Sequence, residues 1–203
     1  MRRLWIGTLL MVLIAVTASH GATSYFSDSE QNPNNFFAAS WPEILRPGGV
    51  GNSTENTPNG AGDNWQCVDE ETSDGDSIYV QCESTSYLKD SYATQDHSAG
   101  SGTIDKVVIN IRCRKVASAL NQDAYAKTVI RTHDIDYQGE QITLPGSYAV
   151  YSTEYALNPN TDSAWTWSEI DALECGVDLK SAQDTVWDYA RCTQVWVAVH
   201  YTP

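Results

Sequence analysis

Apolar and polar side chains alternate along most of the chain beyond residue 86, with the period of a β-strand. Residues 104–113 open with Ile104; Val107, Ile109 and Ile111 share one face and Val108 takes the other, which predicts a central strand. In residues 192–201, Val195, Val197 and Val199 alternate with Trp196, Ala198 and His200, which predicts a final strand of the same kind. Residues 86–92, 124–132, 135–138, 141–144 and 147–157 continue the pattern, with turns at Gly139 and Pro145-Gly146. One helix breaks the run: Thr166 and Glu169 form a capping box, Ile170 and Leu173 give an apolar face, and Gly176 is a natural stop. About ten strands with short connections predict an all-β protein, a jelly-roll-like β-sandwich with one short helix near residues 167–173.

Upstream of that body the pattern changes twice. Arg2 and Arg3 precede an almost wholly apolar stretch from Leu4 to Ala18, shorter than the about 20 residues of a bilayer span. Residues 1–24 therefore read as an export signal, cut after Ala18 or after Ser24, and an uncleaved anchor is the alternative. Residues 42–63 are interrupted by Pro42, Pro47, Gly48, Gly49, Gly51, Pro58, Gly60 and Gly62, and read as a linker or first loop. Only residues 43–46 there have the makings of a strand. The β-sandwich domain is expected over 64–203.

Asp74-Gly75 is a two-residue hairpin signal. A turn centred there pairs residues 64–68 with 77–82 and sets Cys67 directly opposite Cys82, so an exported chain is expected to form that disulfide. Cys113 and Cys192, both in strand patterns, make the second expected pair. Cys175 is left free or available to another subunit.

The formal charge is -14, and release of the first 24 residues removes two arginines and no acid, giving -16. Such a field disfavours nucleic acid and anionic headgroups, so contact with a membrane is expected only in passing, during export. Asp69, Asp74 and Asp76 crowd oxygens onto one turn where calcium is conceivable, although the spacing is not that of an EF-hand; no other cofactor is implied. Asp96-His97 and His133-Asp134 imply no shared metal site, because neighbours on a strand point to opposite faces. Asn52-Ser53-Thr54 is a glycosylation sequon. No nucleophile elbow, phosphate loop, metalloprotease helix or Cys-x-x-Cys is present, and no enzymatic activity is expected.

Residues 25–41 contain Tyr25-Phe26-Ser27-Asp28-Ser29-Glu30 followed by Asn35-Phe36-Phe37-Ala38-Ala39. This stretch resembles the mature start of proteins released by SipW-type signal peptidases, among them TasA-like fibre subunits, camelysins and archaeal bundling-pilus subunits. The resemblance implies a secreted or cell-surface structural subunit whose partners are identical subunits in a homopolymer. In that reading Tyr25, Phe26, Phe36, Phe37 and Trp41 anchor a donor strand that completes the sheet of the next subunit. The alternative is that the segment folds back as the first strand of its own domain. The body resembles a β-sandwich module of archaeal and phage surface proteins, on Leu45-Arg46-Pro47, Val68-Asp69-Glu70, Asp74-Gly75-Asp76, Asn158-Pro159, Ala164-Trp165-Thr166-Trp167 and Arg191-Cys192-Thr193-Gln194-Val195.

A second function comes from the aromatics. Trp165 and Trp167, with Tyr148, Tyr151 and Tyr155, are candidates for a platform on which a sugar ring stacks, as in a secreted carbohydrate-binding module or adhesin. Their spacing around a helix start lets at most one of the two tryptophans face solvent.

Overall fold

A computed structural model describes residues 42–99, 101–116, 123–182 and 189–203. The strands are β1 (Glu43–Leu45), β2 (Pro47–Thr54), β3 (Thr57–Asn59), β4 (Tyr79–Cys82), β5 (Leu88–Thr94), β6 (Thr103–Val116), β7 (Ala124–Thr132), β8 (Ile135–Gln138), β9 (Ile142–Thr143), β10 (Ala149–Tyr155), β11 (Glu174–Ser181) and β12 (Tyr189–Thr202). They form two antiparallel sheets packed face to face. The first has the order β10-β6-β12-β4-β3 with β1 also on β12; the second has β2-β5-β11-β7-β8 with β9 also on β7.

The alternation seen in the sequence is what builds the core. Val107, Ile109 and Ile111 of β6 and Val195, Val197 and Val199 of β12 are fully buried, and they meet Ile130 of β7 and Cys175, Val177 and Leu179 of β11 from the other sheet. Burying one face of each strand sets the register, because a one-residue slip would turn the whole apolar set outward. The expected helix is present as α1 (Trp167–Asp171), with Thr166 as N-cap and Glu169 reaching back to the Thr166 backbone. It ends at Ala172. Gly176 is not its stop but an interior position of β11, where an added Cβ would lie 2.0 Å from the Asp90 carbonyl oxygen.

Two expectations about the first part of the domain are corrected. Residues 42–63 are not a loop: β1, β2 and β3 enter the sheets there. Glycine permits this, since a Cβ at Gly51 would stand 2.3 Å from the Ser91 carbonyl oxygen on β5. The hairpin about Asp74-Gly75 does not form either. Asn64–Cys67 is a single 3-10 turn, held by Gln66 Oε1 accepting from the Asp63 N–H at 3.2 Å, and β4 pairs with β3 and β12 instead. This segment is tied down by Asp90, which is fully buried. Its Oδ1 accepts from the backbone N–H groups of Glu55 at 2.7 Å and Asn56 at 2.9 Å. Its Oδ2 accepts from Asn64 Nδ2 at 2.8 Å and the Tyr92 hydroxyl at 2.9 Å.

Candidate functional site

The outer face of the first sheet carries the richest arrangement of side chains. The inward set of β6 and β12 is apolar, so the intervening residues project outward in rows. Ser152, Asn110 and Trp196 form one row across β10, β6 and β12; Glu154, Val108, Ala198 and Ile44 form the next, extending onto β1. On the other side of the tryptophan row lie Val150, Arg112 and Gln194, and then the register pair Arg114 and Arg191. Trp196 is half-buried in the middle of this face, with Ile44 and Val150 exposed at its margins. Ser152 Oγ donates to Asn110 Oδ1 at 2.6 Å, and Lys106 Nζ pairs with Glu154 at 2.6 Å, so the polar groups beside the indole are held in place.

Residues 68–78 cross this face as a strap. Gln194 Nε2 donates to the Glu70 carbonyl at 2.8 Å, Arg46 Nη1 donates to the same oxygen at 2.7 Å, and Arg112 Nη1 bonds Ser73 Oγ. The strap ends on Asp76, whose two carboxylate oxygens each accept from Arg114 Nη2 at 2.7 Å. Oδ1 also accepts from the Tyr148 hydroxyl at 3.0 Å and from Arg191 Nη1 at 3.4 Å. Despite some desolvation, the Tyr148 hydroxyl and the guanidinium groups hold the Asp76 carboxyl below its usual range. Burial and the Asp76 charge push the Tyr148 phenol up. Glu70 is raised to about 7, chiefly by burial, and its Oε2 has no partner among the described residues.

The carboxylates proposed for calcium are therefore not gathered about one point. Asp76 serves arginine, Asp74 accepts from Thr193 Oγ1 at 3.4 Å, and no group of metal-ligating side chains occurs among the described residues.

The proposed aromatic platform is also corrected. Trp165 is buried, and its Nε1 donates to the Tyr155 carbonyl at 3.1 Å. Trp167 is half-buried and stacks on His97 at 4.7 Å, with Nε1 bonded to the Gly102 carbonyl at 2.9 Å. Tyr151 and Tyr155 lie on the inward side of β10, and Tyr148 lies beneath Arg112 and Arg114, whose guanidinium carbons are 4.5 and 5.1 Å from its ring centre. The outward aromatic is Trp196. Its place in the alternation of residues 192–201 was a signal in the sequence for its direction, and Arg112 and Arg114, two apart on either side of Cys113, signal the same face.

A shallow cleft of about 200 Å³ lies at one end of the sandwich, lined by Thr132, His133, Ser168, Glu169 and Ala172. His133 and Asp134 both have left-handed backbone, with φ of 51° and 62°, and form the tight turn between β7 and β8. The turn sets His133 Nε2 3.5 Å from Glu169 Oε1, while Asn158 Nδ2 donates to Thr132 Oγ1 at 3.2 Å and Glu169 Oε1 at 3.0 Å. Asp134 points away and pairs with Arg131 at 3.3 Å. One imidazole beside one already-bonded carboxylate forms neither a metal centre nor an activated nucleophile.

The five cysteines are buried and free. Cys67 and Cys82 are not paired: the sulfur of Cys67 faces the carbonyls of Asn59 and Asp63, and that of Cys82 faces those of Ser84 and Ser86. Cys113 and Cys192 stand opposite each other in register. Cys175 is fully buried in the core, which removes it as a contact to another subunit. Asn52 is exposed on β2. Tyr25, Phe26, Phe36, Phe37 and Trp41, with the export signal, lie outside the described residues.

No family model and no curated protein matches this sequence. Solved structures with a similar fold include a family 29 carbohydrate-binding module, 11% identical, with a TM-score of 0.38 over 77% of this chain and 90% of that one. The CBM22-1 xylan-binding domain from Paenibacillus barcinonensis Xyn10C is 12% identical, with a TM-score of 0.41 over 82% of this chain and 100% of that one. The xylan-binding module CBM15 is 9% identical, with a TM-score of 0.36 over 82% and 94%. These are likenesses of β-sandwich architecture.

Proposed function

We propose that this chain is an exported, non-catalytic β-sandwich module that binds carbohydrate on the outer face of its first sheet. The observation that carries the reading is Trp196: an indole at the centre of a regular sheet, with Asn110, Ser152 and Gln194 beside it and charged groups at the margins. A pyranose ring stacks its C–H face on an indole and meets hydroxyl-bonding groups at its rim; beside Trp196 the exposed ones are Ser152 and Glu154, while Asn110 and Gln194 are buried and hydrogen-bonded within the protein. The test is binding of the mature protein to a panel of neutral β-linked polysaccharides. Trp196→Ala should lose at least tenfold in affinity, while Trp167→Ala on the remote aromatic cluster should not. Equal binding by wild type and Trp196→Ala removes this face from the account.

A second reading, a fibre subunit joined by its 25–41 segment, is favoured by β10. Among the described residues, this seven-residue strand pairs on one side only, with β6, in unbroken register. Free edges are usually blunted by proline, glycine, bulges or brevity. β2 has Pro47, three glycines and register shifts, β3 has Pro58, and β1 has only three residues. β10 has none of these. Electron microscopy of the mature protein, of a form lacking residues 25–41, and of Ser152→Pro tests this: fibres in the first alone support it, and monomers throughout remove it.

A further inference from the structure

Arg114 and Arg191 face each other directly across β6 and β12, and Arg112 lies two residues from Arg114 on the same side. Like charges at opposed positions of a sheet destabilise it unless an anion lies between them. Of the five arginines among the described residues, Arg46 also joins this face, so four are gathered there in a chain of net charge -14. The groups are arranged as a receptor. Arg114 grips both oxygens of one carboxylate from a single nitrogen, the Tyr148 hydroxyl and Arg191 add donors to one of them, and Tyr148 lies under the Arg112 and Arg114 guanidinium planes. The Arg114 Nε–H is buried and has no acceptor among the described residues, a donor left over after Asp76 is bound. Arginine suits such a place, since its fixed fork matches a carboxylate and it is always charged.

The carboxylate now in the receptor comes from the tip of a turn. Asp76 follows Gly75, which has φ of 74°, and the Asp76 side chain is 49% exposed, whereas those of Arg114 and Arg191 are 20% and 15% exposed. The receptor is the buried, built part and its occupant is peripheral. Arg114 lies four residues along β6 from Asn110, the neighbour of Trp196, a distance of roughly 13 Å along the strand. A short oligosaccharide lying along the strands spans it once the strap over Arg112 and Gln194 has moved aside.

We propose that Arg114, Arg191 and Tyr148 form a carboxylate subsite that takes a uronic-acid residue of the bound glycan, and that Asp76 occupies it in the free protein. This rests on the carbohydrate reading above and names the class of ligand: a glycan with carboxylates along its chain. The strap is then an internal competitor, displaced when the acidic ligand binds.

The experiment measures binding of oligogalacturonate and of a neutral oligosaccharide of equal length to the mature wild type, Asp76→Asn, Asp76→Ser, Asp76→Asn/Arg114→Gln and Trp196→Ala. Circular dichroism checks each fold. Emptying the subsite should raise oligogalacturonate affinity at least tenfold in both Asp76 variants, with a steeper loss in salt. The Arg114→Gln change should cancel the gain, and neutral-sugar affinity should stay constant across the Asp76 series. Folded Asp76 variants with no gain overturn the subsite, and if neutral sugar still binds through Trp196 the carbohydrate reading survives. Conversely, an Arg114-dependent gain without any neutral-sugar binding upholds the subsite and removes the platform at Trp196.

Discussion

Cys113 and Cys192 stand directly opposite each other on β6 and β12 with no exposed surface, and the Cys192 thiol donates to the Gln194 carbonyl at 3.3 Å. Burial and the neighbouring thiol hold Cys113 well above the ordinary thiol range, so the pair is inert as thiols in the folded state. The expected outcome in an oxidising compartment is a disulfide between these two, formed by exchange with an oxidised dithiol carrier that leaves reduced. Peptide mapping of the secreted protein should find this link, with Cys67, Cys82 and Cys175 alkylated after unfolding. Its reduction should cost about 2–4 kcal/mol in denaturant unfolding. A link between Cys67 and Cys82 would contradict the separate surroundings of those sulfurs.

Asp90 holds the 3-10 turn and the end of β2 to β5, and it satisfies donors from Asn56, Asn64 and Tyr92 that are themselves buried. Replacing it with alanine leaves those donors unpaired, at about 1–3 kcal/mol each. Asp90→Ala should therefore unfold at least about 3 kcal/mol more easily, and hydrogen exchange at the Glu55 and Asn56 amides should rise first.

Two carboxyls are raised by burial: Asp178, to about 6, and Glu70, to about 7. A raised carboxyl binds its proton more tightly in the folded protein, so its contribution to stability is full below the unfolded value and is lost as pH rises through the folded one. Stability should decline as pH climbs from the ordinary carboxylate range to about 7, then level off. Asp178→Asn and Glu70→Gln should each flatten part of that slope in thermal melts. Asp76, Asp136 and Asp171 are lowered by hydrogen bonds and cationic partners, and act in the opposite sense on acidification.

Gly176 in β11 has no room for a methyl group, since the Asp90 carbonyl oxygen would lie 2.0 Å away. Gly176→Ala should destabilise by about 1–3 kcal/mol through displacement of β5 against β11. An unchanged urea midpoint would mean that the two strands separate without penalty.

By itself the sequence determined the sandwich, the strands β6 and β12, the capped helix at Thr166, and the burial of at least one of the helix tryptophans. All of these follow from periodicity or from contacts within a few residues. What it did not determine was which distant segments lie side by side. Asp74-Gly75 reads as a hairpin because the signal is local, yet β3 takes the place beside β4 that residues 64–68 were expected to fill, and Asp90 draws those residues into a turn. Pro- and Gly-rich residues 47–54 read as a loop because the space on β5 that only glycine fits is invisible without β5. Asp76 reads as a calcium ligand until Arg114 and Arg191 meet across two strands 77 positions apart and claim it. Side-chain alternation says which way a residue points; only the pairing of remote strands, driven by burial of their shared apolar face, decides what it points at.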